Sequence, residues 1–172
     1  QAQQHAFFHK MDSCEPDELW IAPMRQPWIL RPRPVETTEP CAQERADAEV
    51  LILSFVTKIF NKQTKAGRYA HIIHPTNAVS WQTKAWNSIF NCYTFTVDEC
   101  MYLAKDTYIE ANRRIHSRNT WQIRTNKREM CTLALPCDGS HHCTRISMTD
   151  QMSSDAIDYP WYLADYICQL LM

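Results

Sequence analysis

The sequence predicts a mainly α fold: about four helices in a bundle-like core, with a small two- or three-stranded β element near residues 119–149, cross-linked by disulfides. Three observations carry that expectation. Eight cysteines run from Cys14 to Cys168, and an even count of this size reads as a disulfide framework. Only Gly67 and Gly139 are present, where average usage gives roughly 12 glycines. Few positions can then adopt φ > 0 at low cost, which disfavours hairpin-rich all-β folds. Several long segments also carry apolar residues at steps of three and four, the period of a helix.

Bulk composition sets the outer limits. A chain of 172 residues suits one domain with a real core. Apolar residues make up 45% and charged residues 22%, which excludes wholesale disorder. The net charge of −1 provides no global field that selects nucleic acid or a membrane surface. Val50 to Val56 is the longest strongly apolar run and is too short to span a bilayer. The start at Gln1 fits a mature secreted protein whose leader has been removed. No Asn-x-Ser/Thr acceptor occurs, so N-glycosylation is not expected.

Residues 1–38 are expected to form a proline-rich N-terminal arm packed on the body, with residues 39–172 as a single helix-rich globular domain. Six of the nine prolines lie between Pro16 and Pro40, and Arg31-Pro32-Arg33-Pro34 cannot be helical. Within the arm, Phe8-His9-Lys10-Met11-Asp12-Ser13 resembles the first helix of the pancreatic-type ribonucleases, which also have eight cysteines. The family's Cys-Lys-x-x-Asn-Thr-Phe motif is missing and the cysteine gaps differ, so the resemblance assigns no activity.

The first strong helix is predicted from Glu39-Pro40 to about Thr64, closed by Lys62, Lys65 and Gly67. Ala42, Ala46, Val50, Leu53, Val56 and Phe60 form one stripe. Leu51, Ile52, Phe55 and Ile59 widen it, which suggests a helix buried on several sides. A second helix is predicted from Thr76 or Asn77 to about Phe90. A third starts at the capping box Thr96-x-x-Glu99 and runs on through Val97, Met101, Ala104, Tyr108, Ala111 and Ile115. Alternation in Thr120–Thr125, Cys131–Leu135 and Cys143–Thr149 suggests short strands, with Pro136 and Asp138-Gly139 as turns. A last helix is expected from Ser154 or Asp158 to Leu171.

Catalytic signatures are missing. Two glycines cannot make a phosphate-cradling loop, and neither a Gly-x-Ser-x-Gly elbow nor His-Glu-x-x-His occurs. The densest group of soft donors is Cys131, Cys137, His141, His142 and Cys143, with Asp138 among them. Such thiols and imidazoles could take Zn²⁺, although C-x5-C-x3-H-H-C follows no standard ligand spacing, and a disulfide beside solvated histidines is the competing reading. A secondary metal reading uses His71, His74, His141 and His142, since His71-x-x-His74 would share a face on a helix. Otherwise no cofactor is expected.

Charge is uneven. Ala111 to Arg128 holds six basic residues and no acid, whereas Asp150, Asp155, Asp158 and Asp165 stand without a basic neighbour beyond Arg145. Arg113, Arg114, Arg118, Trp121 and Arg124 are therefore the candidate contact residues for an extracellular protein or polyanion. Internal pairing with the acidic tail is the alternative use of the strip. In helix order the chain is similar to the helical cytokines, an analogy at the level of fold. The expected function is thus a secreted, disulfide-stabilised binding or signalling protein rather than an enzyme. The alternatives are an extracellular hydrolase with a histidine-centred, metal-assisted site, and a small-molecule carrier with an apolar cavity.

Overall fold

The computed structural model describes residues 2–23, 41–102, 107–110, 113–117, 120–144, 163, 165 and 167–169. In chain order these form α1 (Ala2–Cys14), β1 (Glu18–Ile21), α2 (Cys41–Lys65), β2 (Tyr69–Pro75), β3 (Tyr93–Asp98), β4 (Thr107–Glu110), β5 (Arg113–Ser117), β6 (Thr120–Thr125) and β7 (Cys143–Thr144), with short 3-10 turns between them. A mixed four-stranded sheet has the order β1-β2-β6-β3, and a three-stranded sheet the order β4-β5-β7.

This corrects the expected four-helix bundle. Among the described residues only α1 and α2 reach seven residues. The predicted third helix is the clearest reversal: its length is occupied by β3, a 3-10 turn at Glu99–Met101, β4 and β5. Tyr93-Thr94-Phe95-Thr96-Val97 is a run of β-branched and aromatic residues, which fit a pleated, half-buried surface better than a helix. The predicted second helix is two 3-10 turns, Val79–Gln82 and Lys84–Ser88. Within the expected arm, residues 2–14 are helical and residues 18–21 pair with β2 in parallel register. Leu163, Asp165 and Ile167–Gln169 are helical, inside the predicted last helix.

Helix α2 ends where its sequence says it should. Gly67 takes φ 72°, and its N–H donates to the Thr64 carbonyl while Arg68 N–H donates to that of Gln63. These two bonds are a Schellman cap, and the left-handed residue it needs is one of the two glycines in the chain.

The chain divides into two compact units, Gln1–Tyr93 with Arg124–Lys127 and Thr94–Ile123 with Arg128–Met172. The core of the first is Leu53, Val56 and Phe60 of α2 against Ala70, Ile72, Ala78 and Trp86. Strand periodicity explains the selection, because Ala70 and Ile72 share a face and His71 points to the other. Thr57 and Asn61 donate to the carbonyls of Ala85 and Ser88, fixing the 3-10 segment along the helix. The Arg124 guanidinium lies 4.9 Å from the Trp81 ring centroid and donates to the Trp86 carbonyl, a cation–π contact in a partly desolvated setting. Among the described side chains of α2, Leu53, Val56, Ile59 and Phe60 are buried while Val50, Leu51 and Ile52 are exposed, so the apolar stripe is one-sided there. It is not the multiply buried central helix expected. In the second unit, Val97, Tyr102, Trp121, Met130 and Leu133 are buried, and β5 pairs with β4 antiparallel and with β7 in parallel.

Candidate metal centre

Four soft donors converge in the second unit: Cys100, Cys137, His141 and Cys143, with ligand atoms all within 4.8 Å of one another. Two stretches of chain bring them together. Cys100 sits in the 3-10 turn directly after β3. The other three belong to the loop 134–144, whose end is β7.

The loop is fastened to the end of β3 by its backbone. Asp98 N–H donates to the Leu135 carbonyl at 3.1 Å, and the Asp98 carboxylate accepts the Cys137 N–H at 2.7 Å. Thr120 holds the other Asp98 oxygen, and the Tyr102 hydroxyl donates to the Leu133 carbonyl at 2.6 Å. A charge-assisted bond to a buried carboxylate is worth more than a neutral one. Asp98 is thus the post to which Cys137 is tied. Past it, Asp138 accepts the Ser140 N–H at 2.9 Å, and Gly139 at φ 73° turns the chain so that His141 faces back toward Cys137.

The two separations made by Cys137 match the edges of a tetrahedral site. Zinc–sulfur bonds of about 2.3 Å and zinc–nitrogen bonds of about 2.0 Å imply edges of roughly 3.8 Å between sulfurs and roughly 3.6 Å from sulfur to nitrogen. The Cys137 and Cys143 Sγ atoms are 3.6 Å apart, and Cys137 Sγ lies 3.9 Å from His141 Nε2. A disulfide requires about 2.05 Å. Among the described residues no cysteine is disulfide-bonded, and this covers Cys14, Cys92, Cys100, Cys131, Cys137, Cys143 and Cys168.

Electrostatics point the same way. Burial pushes the Cys100 thiol up, and the neighbouring Cys143 and Cys137 thiols push it further. Three sulfurs this close cannot all ionise without a cation between them, whereas a bound divalent ion deprotonates a coordinating thiol outright. The far side of the imidazole is also prepared. His141 Nδ1 lies 3.9 Å from Asp138 Oδ1 and 3.4 Å from Ser140 Oγ, the carboxylate-behind-histidine arrangement that orients metal-ligating imidazoles. Hydrogen bonds from Ser140 hold the Asp138 carboxyl below its usual range, with a smaller effect from His141. Asp138 therefore stays ionised behind the ring.

The sequence brought three of these four residues together and missed Cys100. Cys131 stands in a different 3-10 turn and His142 is exposed; neither belongs to the cluster. His71 and His74 do not form the expected pair either. They lie on strand β2, where residues three apart face opposite sides. His74 meets Trp81 edge-on at 5.7 Å. His71 stacks on its cross-strand partner Trp20 at 4.5 Å.

His71 belongs to a buried polar network of its own. Its Nδ1 is 2.8 Å from the Thr125 hydroxyl, and its Nε2 is 3.6 Å from Glu18 Oε2. A hydroxyl donating to Nδ1 leaves the Nε2 proton facing the carboxylate, so the neutral Nε2–H tautomer fits both contacts. Glu18 is ion-paired with Lys127, whose ammonium lies 4.8 Å from the Tyr69 ring centroid. Burial lowers the His71 pKa to about 4, against the opposing pull of Glu18. The order Thr125, His71, Glu18 echoes a hydrolase triad, but Thr125 and His71 are fully buried, so the hydroxyl has no route to a substrate.

The predicted contact residues fall in three settings. Arg113 and Arg114 lie on β5, with side chains outside the described residues, and Arg118 is outside them altogether. Trp121 is 2% exposed and offers no surface. Arg124 is spent on Trp81 and Trp86. An open cleft of about 600 Å³ is lined by Asp12, Lys58, Asn61, Lys62, Lys65, Ala66 and Arg68. Lys62 and Lys65 lie in the last turn of α2, where cations complement the helix dipole, and Lys62 pairs with Asp12 at 2.6 Å. No helix among the described residues is long and apolar enough to cross a membrane.

Comparison with protein-family models, with curated proteins and with solved structures finds no match for this chain. The reading of the centre rests on its own geometry.

Proposed function

We propose that this protein is a zinc-binding domain in which Cys100, Cys137, His141 and Cys143 hold one Zn²⁺ as a structural ion. The observation that carries this is the convergence of three sulfurs and one imidazole nitrogen within 4.8 Å. Four protein ligands close a tetrahedral shell, and closed shells serve structure, whereas catalytic zinc keeps a position for water or substrate. With three thiolates the centre carries a net charge of about −1, a poor Lewis acid for hydrolysis. The ion's role is to pin loop 134–144 and β7 to the turn after β3. Function then lies in contacts made by the surface the ion holds in shape, and the partner class stays as the basic strand β5 suggests, an acidic protein or polyanion. Thiols kept as ligands fit a reducing compartment better than the secreted setting expected from cysteine count.

Cobalt substitution tests the reading. Co²⁺ added to metal-free protein should give the intense visible bands of tetrahedral thiolate coordination, bleached by one equivalent of Zn²⁺. Weak octahedral bands, or no spectral change, would contradict it.

A further inference from the structure

Cys137 and Cys143 differ from Cys100 in two respects that matter for oxidation. Both are half-buried, whereas Cys100 is 5% exposed. Their sulfurs are also already 3.6 Å apart, so closing to a disulfide length of about 2.05 Å takes only a small rotation of each side chain. They bracket one short loop whose Gly139 turn brings its ends together. Resting on the zinc reading above, we propose that this centre is a peroxide-sensitive switch, in which oxidation joins Cys137 to Cys143 and ejects the ion.

One of these two half-buried thiolates attacks a peroxide oxygen, the O–O bond breaks, and hydroxide leaves with a sulfenic acid formed at sulfur. The second thiolate attacks that sulfur, the S–S bond forms, and a second hydroxide leaves. Two protons convert the hydroxides to water. The sulfurs lose two electrons, the peroxide gains two, and zinc keeps its oxidation state throughout. The ion is left with Cys100 and His141, half of its shell, and dissociates. Cys143 pairs with His116 of β5, so the released loop is continuous with the basic strand. Oxidation therefore acts on the sheet β4-β5-β7 as well as on the metal. The Cys137 N–H bond to Asp98 keeps one end of the loop anchored, which favours recapture of zinc after reduction.

The test uses zinc-loaded full-length protein and hydrogen peroxide, with a chromophoric chelator to follow released zinc and peptide mapping to locate the new bond. The expected result is loss of the bound zinc together with one Cys137–Cys143 disulfide, both reversed by dithiothreitol and added Zn²⁺. Cys131→Ser and Cys92→Ser should behave like wild type. Retention of zinc under peroxide overturns the switch and leaves the structural centre standing, as does release with the bond at Cys100 or with irreversible sulfonic acids. Absence of zinc before any peroxide is added overturns both.

Discussion

His71 and His141 sit in polar clusters of similar size, yet the two clusters are built for opposite ends. Around His71 every charge has a hard partner: Glu18 meets Lys127, the imidazole meets the Thr125 hydroxyl, and Trp20 covers the ring. His71 and Thr125 are fully buried, while Glu18 and Lys127 stand at the half-buried edge of the network. Around His141 the donors are soft: the sulfurs of Cys100, Cys137 and Cys143 share one cluster with its imidazole, and Asp138 and Ser140 lie behind the ring. The same imidazole is packed into the sheet in one place and, on the zinc reading, is a ligand in the other. Whether the surrounding donors balance without an ion decides which.

The largest effect that separates the two regions is metal removal. Structural zinc supplies on the order of 10 kcal/mol in small zinc-binding peptides, similar to the whole stability of a domain. Phenanthroline should lower the melting temperature by more than ~10 °C, read by calorimetry. Amide exchange should rise first in loop 134–144 and at Cys100, while Ala70 to Ile73 stays protected. Uniform loss of protection would erase the distinction between the clusters.

A smaller effect belongs to His71. Its folded pKa of about 4 lies below the ordinary value of 6.5 because burial disfavours the charged ring. The unfolded chain thus binds the extra proton between those values, so stability is fully present above pH 6.5 and is lost as pH falls toward 4. The loss amounts to about 3 kcal/mol at 1.36 kcal/mol per pKa unit. Denaturant titrations of wild type and His71→Gln should differ in slope over that window, with the variant flatter. Parallel pH profiles would mean that the ring is already solvated or charged.

The smallest effect is at the ring's far side. Asp138→Ala should weaken zinc binding by about 10–100-fold without abolishing it, the usual loss when an outer-shell partner of a ligand is removed. Competition with a chromophoric chelator measures this. No change would place Asp138 in the turn alone, with no part in orienting His141.

Helix α2 and strand β6 were legible in the sequence, whereas β1, β2 and the strands β3 to β5 were not. Helix α2 was readable because its stripe Leu53, Val56, Phe60 and its Gly67 cap are local signals that agree. β6 was readable by its alternation, and its described pattern does alternate between buried and half-buried. The third helix failed because heptad spacing and strand composition compete over the same residues, and pairing with partners far along the chain decided for strand. β2 was missed for a related reason: its continuous burial from Ala70 to Pro75 leaves no alternation to see. At the centre, Cys137-x3-His141-x-Cys143 was visible as a cluster. Cys100 was not, because only the fold of β3 against loop 134–144 brings it near. Counting cysteines suggested pairs, yet the sulfurs stand at ligand spacing and not at bond length. The histidine next to them was the sequence signal that could have separated the two.

The most direct measurement is metal content of the purified protein by inductively coupled plasma mass spectrometry, for wild type and Cys100→Ser. One zinc per wild-type chain, lost or greatly weakened in the variant while Cys131→Ser retains it, is the predicted result. Wild-type protein free of zinc, or zinc retained in full without Cys100, would contradict the four-ligand centre.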